Sequence, residues 1–160
     1  MLIREFRIGD EPALWQVFYA AIHETAAADY SKEQVDAWAP PGRDPAAWAA
    51  RVRPLAPLVA ERDGIVLGYA DVQADGYIDH FYVSPRVARQ GVGTALMARI
   101  HERASAAGMA ELYANVSITA RPFFEHCGFR VEREQIVAAR GVTFTNYRMR
   151  KSLGSGGAAS

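Results

Sequence analysis

The feature that most constrains this chain is the run from Tyr77 to Gly108, where a strand feeds a glycine-bearing turn and the turn feeds an amphipathic helix. Tyr77-Ile78-Asp79-His80-Phe81-Tyr82-Val83 is rich in aromatic and β-branched residues and reads as a strand. Ser84-Pro85 closes it, and Arg89-Gln90-Gly91-Val92-Gly93-Thr94 follows. Val92, Leu96, Ile100 and Ala104 then recur at helical spacing up to Gly108, a C-cap glycine. The first amides of a helix have no partner within it and point outward at the positive end of the helix dipole. Glycines there let a ligand come close to the backbone, so a turn of this kind can hold a pyrophosphate.

What precedes the turn narrows the reading. Leu58–Arg62 and Ile65–Gln73 are strand-like and flank Asp63-Gly64, a two-residue hairpin signal; Asp75-Gly76 is a second turn leading into the strand from Tyr77. The glycine turn therefore follows a meander and not the first βαβ unit that a dinucleotide fold requires. No Gly-Lys-Ser/Thr follows it, which removes the nucleotide-hydrolase reading.

The rest of the chain alternates in the same manner. Leu2–Arg7 is a short strand. A helix spans about 10–28, with Asp10 as N-cap and a stripe of Leu14, Val17, Phe18, Ala21 and Ile22. Ser31-Lys32-Glu33-Gln34 is a capping box, and Asp44-Pro45 opens another short helix. After the Gly91 helix come a strand at 111–116, a short helix at about 119–127, and two strands joined by Arg140-Gly141. The order predicts an α+β fold, a mixed and mainly antiparallel sheet flanked by helices. A single domain is expected over 1–153, with a disordered tail at 154–160.

Composition sets limits on partners. The formal net charge is zero, which gives no basic footprint for nucleic acid. No apolar run approaches a membrane span, and the N-terminus lacks a signal-peptide pattern, so a cytoplasmic location is expected. Cys127 is the only cysteine and reads as a packed, inert thiol. His101 and His126 offer no metal-ligand spacing, so no metal is expected.

Two segments together resemble the GCN5-related N-acetyltransferases: Val83-Ser84-Pro85 with Arg89–Leu96, and Ala120-Arg121-Pro122-Phe123-Phe124-Glu125-His126-Cys127-Gly128-Phe129 downstream. The stretch Ser117–Phe129, with Arg140-Gly141-Val142 and Asn146-Tyr147-Arg148-Met149, is similar to the YafP-type bacterial subgroup. The resemblance implies the acyl-CoA N-acyltransferase (GNAT) fold, acetyl-CoA as cosubstrate, and a small-molecule or peptide amine as acceptor. Arg89, Gln90, Gly91, Val92, Gly93 and Thr94 would wrap the pyrophosphate. Phe81, Tyr82 and Val83 would offer backbone to the pantetheine and the acetyl carbonyl, and Asn115, Ser117 and Phe124 would flank the thiol. Members of the family often pair, so a homodimer is also an expectation.

Two positions depart from the pattern. Ala88 stands where the family carries Gln or Arg, and Phe124 where many members carry a proton-donating tyrosine. They motivate a second reading, a non-catalytic acyl-CoA-binding or sensing domain. For catalysis, a backbone amide near Tyr82 or Val83 is expected as oxyanion donor. Asp79 and His80 alternate along one strand, so only one faces the cleft as base. The thiolate leaves unassisted or takes a proton from Tyr82, Tyr113 or Tyr147. By analogy with the family, the early helices supply the acceptor site, with His23, Tyr30 and Trp38 as candidates.

Overall fold

The computed structural model describes residues 1–154; from Ser155 on, the expected tail lies outside them. The elements are β1 (Leu2–Glu5), α1 (Glu11–Ala20), α2 (Lys32–Trp38), α3 (Pro45–Val52), β2 (Leu58–Arg62), β3 (Ile65–Ala70), β4 (Tyr77–Ile78), β5 (Phe81–Val83), α4 (Val92–Ala106), β6 (Glu111–Ser117), α5 (Arg121–His126), β7 (Arg130–Ala139) and β8 (Val142–Ser152).

Local chemistry explains most of these boundaries. Ser31 Oγ accepts from Gln34 N, and Gln34 Oε1 accepts from Ser31 N, completing the capping box of α2. Asp44 Oδ1 accepts from Ala46 N and Ala47 N at the start of α3. Asp63 and Gly64 both take positive φ in the β2–β3 hairpin. Asp10 takes the N-cap position of α1 as expected, its carbonyl accepting from Leu14 N at 3.0 Å, but its side chain caps no amide of the helix. Its carboxylate is held instead by the Arg4 guanidinium at 2.9 Å and by Arg7 N, a bidentate charged pair that outcompetes a neutral amide. The helix expected over 10–28 also changes pitch. It widens into a π turn at Ala21–Thr25 and tightens into a 3₁₀ turn at Ala26–Ala28.

The strands form two four-stranded sheets, β1-β2-β3-β5 and β4-β6-β8-β7. All pairs are antiparallel except β4 with β6. Helices cover both faces of the first sheet. Along β2, Leu58 and Ala60 join the core under α4, while Val59 joins the core under α1. From α4, Val92, Leu96, Ile100 and Ala104 are buried as their spacing required. Leu96 and Ile100 are wholly inaccessible, each contributing roughly 1.5–3 kcal/mol.

The expected third strand, 77–83, is two strands in different sheets. Tyr77 and Ile78 pair with Tyr113 and Ala114 of β6, whereas Phe81–Val83 pair with Gly68–Ala70 of β3. The sheet thus splits at Asp79-His80. Asp71, at the end of β3, holds the split open: its buried carboxylate accepts from His80 N at 2.6 Å, Asp79 N at 3.1 Å and Gln73 Nε2 at 2.7 Å.

Candidate active site

The split leaves β5 at a sheet edge. Asp71 N donates to His80 O and Ser84 N to Leu67 O, so the hydrogen-bonded positions of this antiparallel ladder include Tyr82. Phe81 and Val83 are the alternate positions. Their N–H and C=O groups point away from β3, into the gap between β5 and β6.

A cavity of about 400 Å³ occupies that gap. One wall is Phe81–Ser84. A second is the Val87–Arg89 loop with Gly91, Val92, Gly93 and Thr94. A third comes from the π turn (Ala21, Ile22, Thr25), and Ser117, Thr119, Ala120 and Phe123 complete it. The α4 start has the geometry of an anion site. Ala95 N, bonded to Gly91 O at 3.0 Å, is the first amide used in the helix, so Val92, Gly93 and Thr94 present free N–H groups. No acidic residue stands in the first turn to neutralise the dipole. Gly91 sits at φ +83°, a conformation that disfavours any side chain. A Cβ on Gly93 would come within 3.3 Å of the Phe123 ring.

A second cavity, about 250 Å³, adjoins the first and shares Trp38, Tyr82 and Ser117 with it. Tyr30, Phe144, Val137 and Ala139 give it apolar walls; Asp79, Arg51, Arg140, Asn115, Asn146 and Tyr77 give it polar ones. Partial burial raises the Asp79 carboxyl above its ordinary value, and the Arg51 charge opposes that shift. Burial pushes the Tyr82 phenol up to about 12.

Of the residues expected at the cofactor, Phe81, Tyr82, Val83, Arg89, Gly91, Val92, Gly93, Thr94 and Ser117 line the first cavity. Gln90 faces outward, within 3.5 Å of Arg62. Asn115 lines the second cavity instead. Phe124 is buried in the core against Phe129 and Phe81, and its neighbour Phe123 reaches the cavity wall.

The catalytic and acceptor candidates separate in the same way. Asp79 faces the second cavity, whereas His80 is wholly buried among Phe18, Trp48, Tyr69 and Tyr82. His80 Nδ1 shares a 2.9 Å hydrogen bond with Tyr69 Oη, Nε2 has no partner, and burial drives its pKa down to about 3. Tyr147 lines neither cavity; its ring lies under the Arg121 guanidinium. Tyr113 is likewise outside, bonded to Asp75. Tyr30 and Trp38 line the second cavity, but His23 does not: it stacks on Tyr19 and bonds Ala39 O. Arg51, Arg140, Phe144 and Asn146 were missed by sequence reasoning, because nothing in their spacing shows that they converge. Asp71 carried a signal, a lone carboxylate ending an apolar strand.

The acetyltransferase (GNAT) domain family matches residues 26–151. The chain belongs to the GNAT family. It is 35% identical over 148 residues to the N-acetyltransferase YafP of Escherichia coli strain K12, covering 92% of this chain and 93% of that protein. A GCN5-related N-acetyltransferase from Rhodopseudomonas palustris has a TM-score of 0.90 at 32% identity, over 95% of both chains. The PaiA N-acetyltransferase of Thermoplasma acidophilum, solved in complex with coenzyme A, shares the fold at a TM-score of 0.73 and 19% identity, covering 94% of this chain and 98% of that one. This GNAT chain is an N-acetyltransferase. Among its described residues, no helix is long and apolar enough to cross a membrane, and no group of three or more His, Cys, Asp or Glu could hold a metal ion.

Proposed function

We propose that acetyl-CoA lies along the free edge of β5 with its pyrophosphate on the first amides of α4, and that a primary amine of a small molecule or peptide attacks the thioester directly from the second cavity. The observation that carries this reading is the pair of cavities meeting at Tyr82. One offers unpaired backbone donors and a helix N-terminus, and the other offers a carboxylate among aromatic walls.

The neutral amine adds to the acetyl carbonyl carbon, forming the C–N bond. The oxygen of the tetrahedral intermediate takes up the developing charge within reach of the Val83 or Phe81 N–H, already oriented by the ladder. A donor of this kind is worth roughly 3 kcal/mol. The nitrogen, now cationic and acidic, gives its proton to Asp79, directly or through one water. The C–S bond then breaks and the sulfur leaves with the bonding pair. Tyr82, with a phenol near 12, is too weak an acid to protonate a thiolate of ordinary pKa ~8.5. Its role is to donate a hydrogen bond to the departing sulfur, which accounts for a Phe at position 124. The Asp79 proton returns to solvent, and the thiolate is protonated there.

The test combines calorimetric titration with CoA and a thiol-release assay with acetyl-CoA over an amine panel. Saturable CoA binding together with amine-dependent thiol release supports the reading. Binding with no release from any amine sinks the direct-attack mechanism.

A further inference from the structure

The second cavity holds more positive charge than a simple amine acceptor explains. Arg51 and Arg140 both line it, and among the described residues neither guanidinium pairs with a carboxylate. Arg51, on α3, lies over the Phe18 ring at 5.3 Å and the Trp48 ring at 6.0 Å, which fixes its plane while leaving its N–H groups free. Arg140, in the β7–β8 turn, donates one N–H to Ala37 O at 2.6 Å and keeps the others. Asp79 is the only carboxylate in the lining and has no ion pair of its own. The remaining walls are aromatic and aliphatic: Tyr30, Trp38, Phe144 and Val137.

Resting on the acetyl-transfer reading above, we infer that the acceptor is an α-amino acid with an apolar side chain, its amine toward Asp79 and its carboxylate on Arg51 and Arg140. Two guanidiniums facing one carboxylate leave the empty cavity with an excess positive charge. An acceptor bearing only amines adds to that excess. An amino acid bound with its α-amine neutral, the form that attacks, brings one net negative charge and cancels it, and its carboxylate accepts the paired N–H groups of a guanidinium in a bidentate geometry that an amine cannot match. A cavity of about 250 Å³ has room for a single amino acid. The chemistry is unchanged: the α-amine nitrogen bonds to the acetyl carbon, its proton passes to Asp79, and CoA leaves as thiolate.

The experiment uses the full chain with acetyl-CoA and thiol detection. L-leucine and L-phenylalanine are compared with the same skeletons lacking the carboxylate, isoamylamine and phenethylamine, and with spermidine. The expected result is a kcat/KM for the amino acids about 10- to 100-fold above their decarboxylated partners, the range for a hydrogen-bonded charge pair. R51M and R140M should raise KM for L-leucine by a similar factor, leave CoA affinity intact, and erase the preference. R51K should restore part of it. Unchanged CoA affinity also reports that each variant folds, since neither arginine lines the first cavity. Turnover of isoamylamine or spermidine equal to that of L-leucine overturns the inference and leaves acetyl transfer standing, as does a preference that survives both substitutions. A protein that binds CoA and acetylates no member of the panel overturns the inference, and one that also releases no thiol with any amine of the wider panel, peptides included, overturns direct attack as well.

Discussion

Asp71 is the residue on which the split sheet depends, and its removal can be worked through in free energy. The carboxylate is buried and accepts from the backbone N–H of both His80 and Asp79. Burial raises its pKa to about 6, against an ordinary value of 3.8, despite those hydrogen bonds. The folded protein therefore keeps a proton on Asp71 in the interval where the unfolded chain has lost it. By linkage, this group stabilises the fold most at low pH, and the contribution is lost as pH rises from about 4 to 6. The loss is about 3 kcal/mol. Asp71→Asn keeps an acceptor oxygen for both amides and removes the charge. Its stability relative to wild type should rise by about 3 kcal/mol between pH 4 and 7, with a pH-independent offset of at most about 1 kcal/mol if the Gln73 amide must reorient. Asp71→Ala gains the same charge relief but leaves the amides without their acceptor. It should lie below Asp71→Asn at every pH by about 1–3 kcal/mol for the buried His80 amide alone. Urea unfolding at several pH values measures these differences, with His80 contributing equally to all three proteins. CoA titration reports the cleft: Asp71→Ala should bind more weakly as β5 relaxes, and Asp71→Asn should bind as wild type does. A stability difference between Asp71→Asn and wild type that stays flat with pH would refute the argument, as would equal stability of the two variants.

Three further outcomes follow from the geometry. Gly93→Val places a branched side chain against the Phe123 ring, where a Cβ alone comes to 3.3 Å, and should weaken CoA binding at least about tenfold by calorimetry with smaller loss of stability. Asp79→Asn should lower kcat/KM by about 100-fold and remove an acidic-limb ionisation that lies above the ordinary aspartate value, read from the pH–rate profile; an unaltered profile removes Asp79 as base. His80 is driven down to about 3, so the unfolded chain gains a proton below pH ~6.5 while the folded one does not, and the stability it contributes is lost as pH falls through that window. The Tyr69→Phe/His80→Phe double variant, which also removes the unpartnered Nε2, should unfold at lower pH than wild type; an acid midpoint at or above wild type counts against this.

The glycine turn, the Ser31–Gln34 capping box, the Asp63-Gly64 hairpin and the Val92–Ala104 stripe were all legible in the sequence, because each depends on residues within a turn or two of one another. The free amides at the start of α4 belong to the same class: an amide needs only its local conformation to point outward, so the helix start at Gly91–Thr94 was legible from spacing, while its assignment to a pyrophosphate came from the family resemblance. The split of 77–83 could not, because its seven residues alternate as one strand would. What separates them is Asp71, distant enough in sequence to carry no periodic signal and close enough in space to take both amides. The same fold decision assigned the side chains. Period-two alternation allowed Asp79 or His80 to face the cleft, and only the aromatic cage from α1, α3 and β3 determined that His80 is the buried one. Arg51 and Arg140 line one cavity because α3 and the β7–β8 turn are brought to it by the fold, a long-range outcome that local chemistry does not encode. The chain by itself determined a helix start whose first amides are free of partners, the geometry of an anion site. Tertiary packing decided which carboxylate, which phenol and which cations line the two cavities, since side-chain convergence is a property of the packed core and not of any one segment.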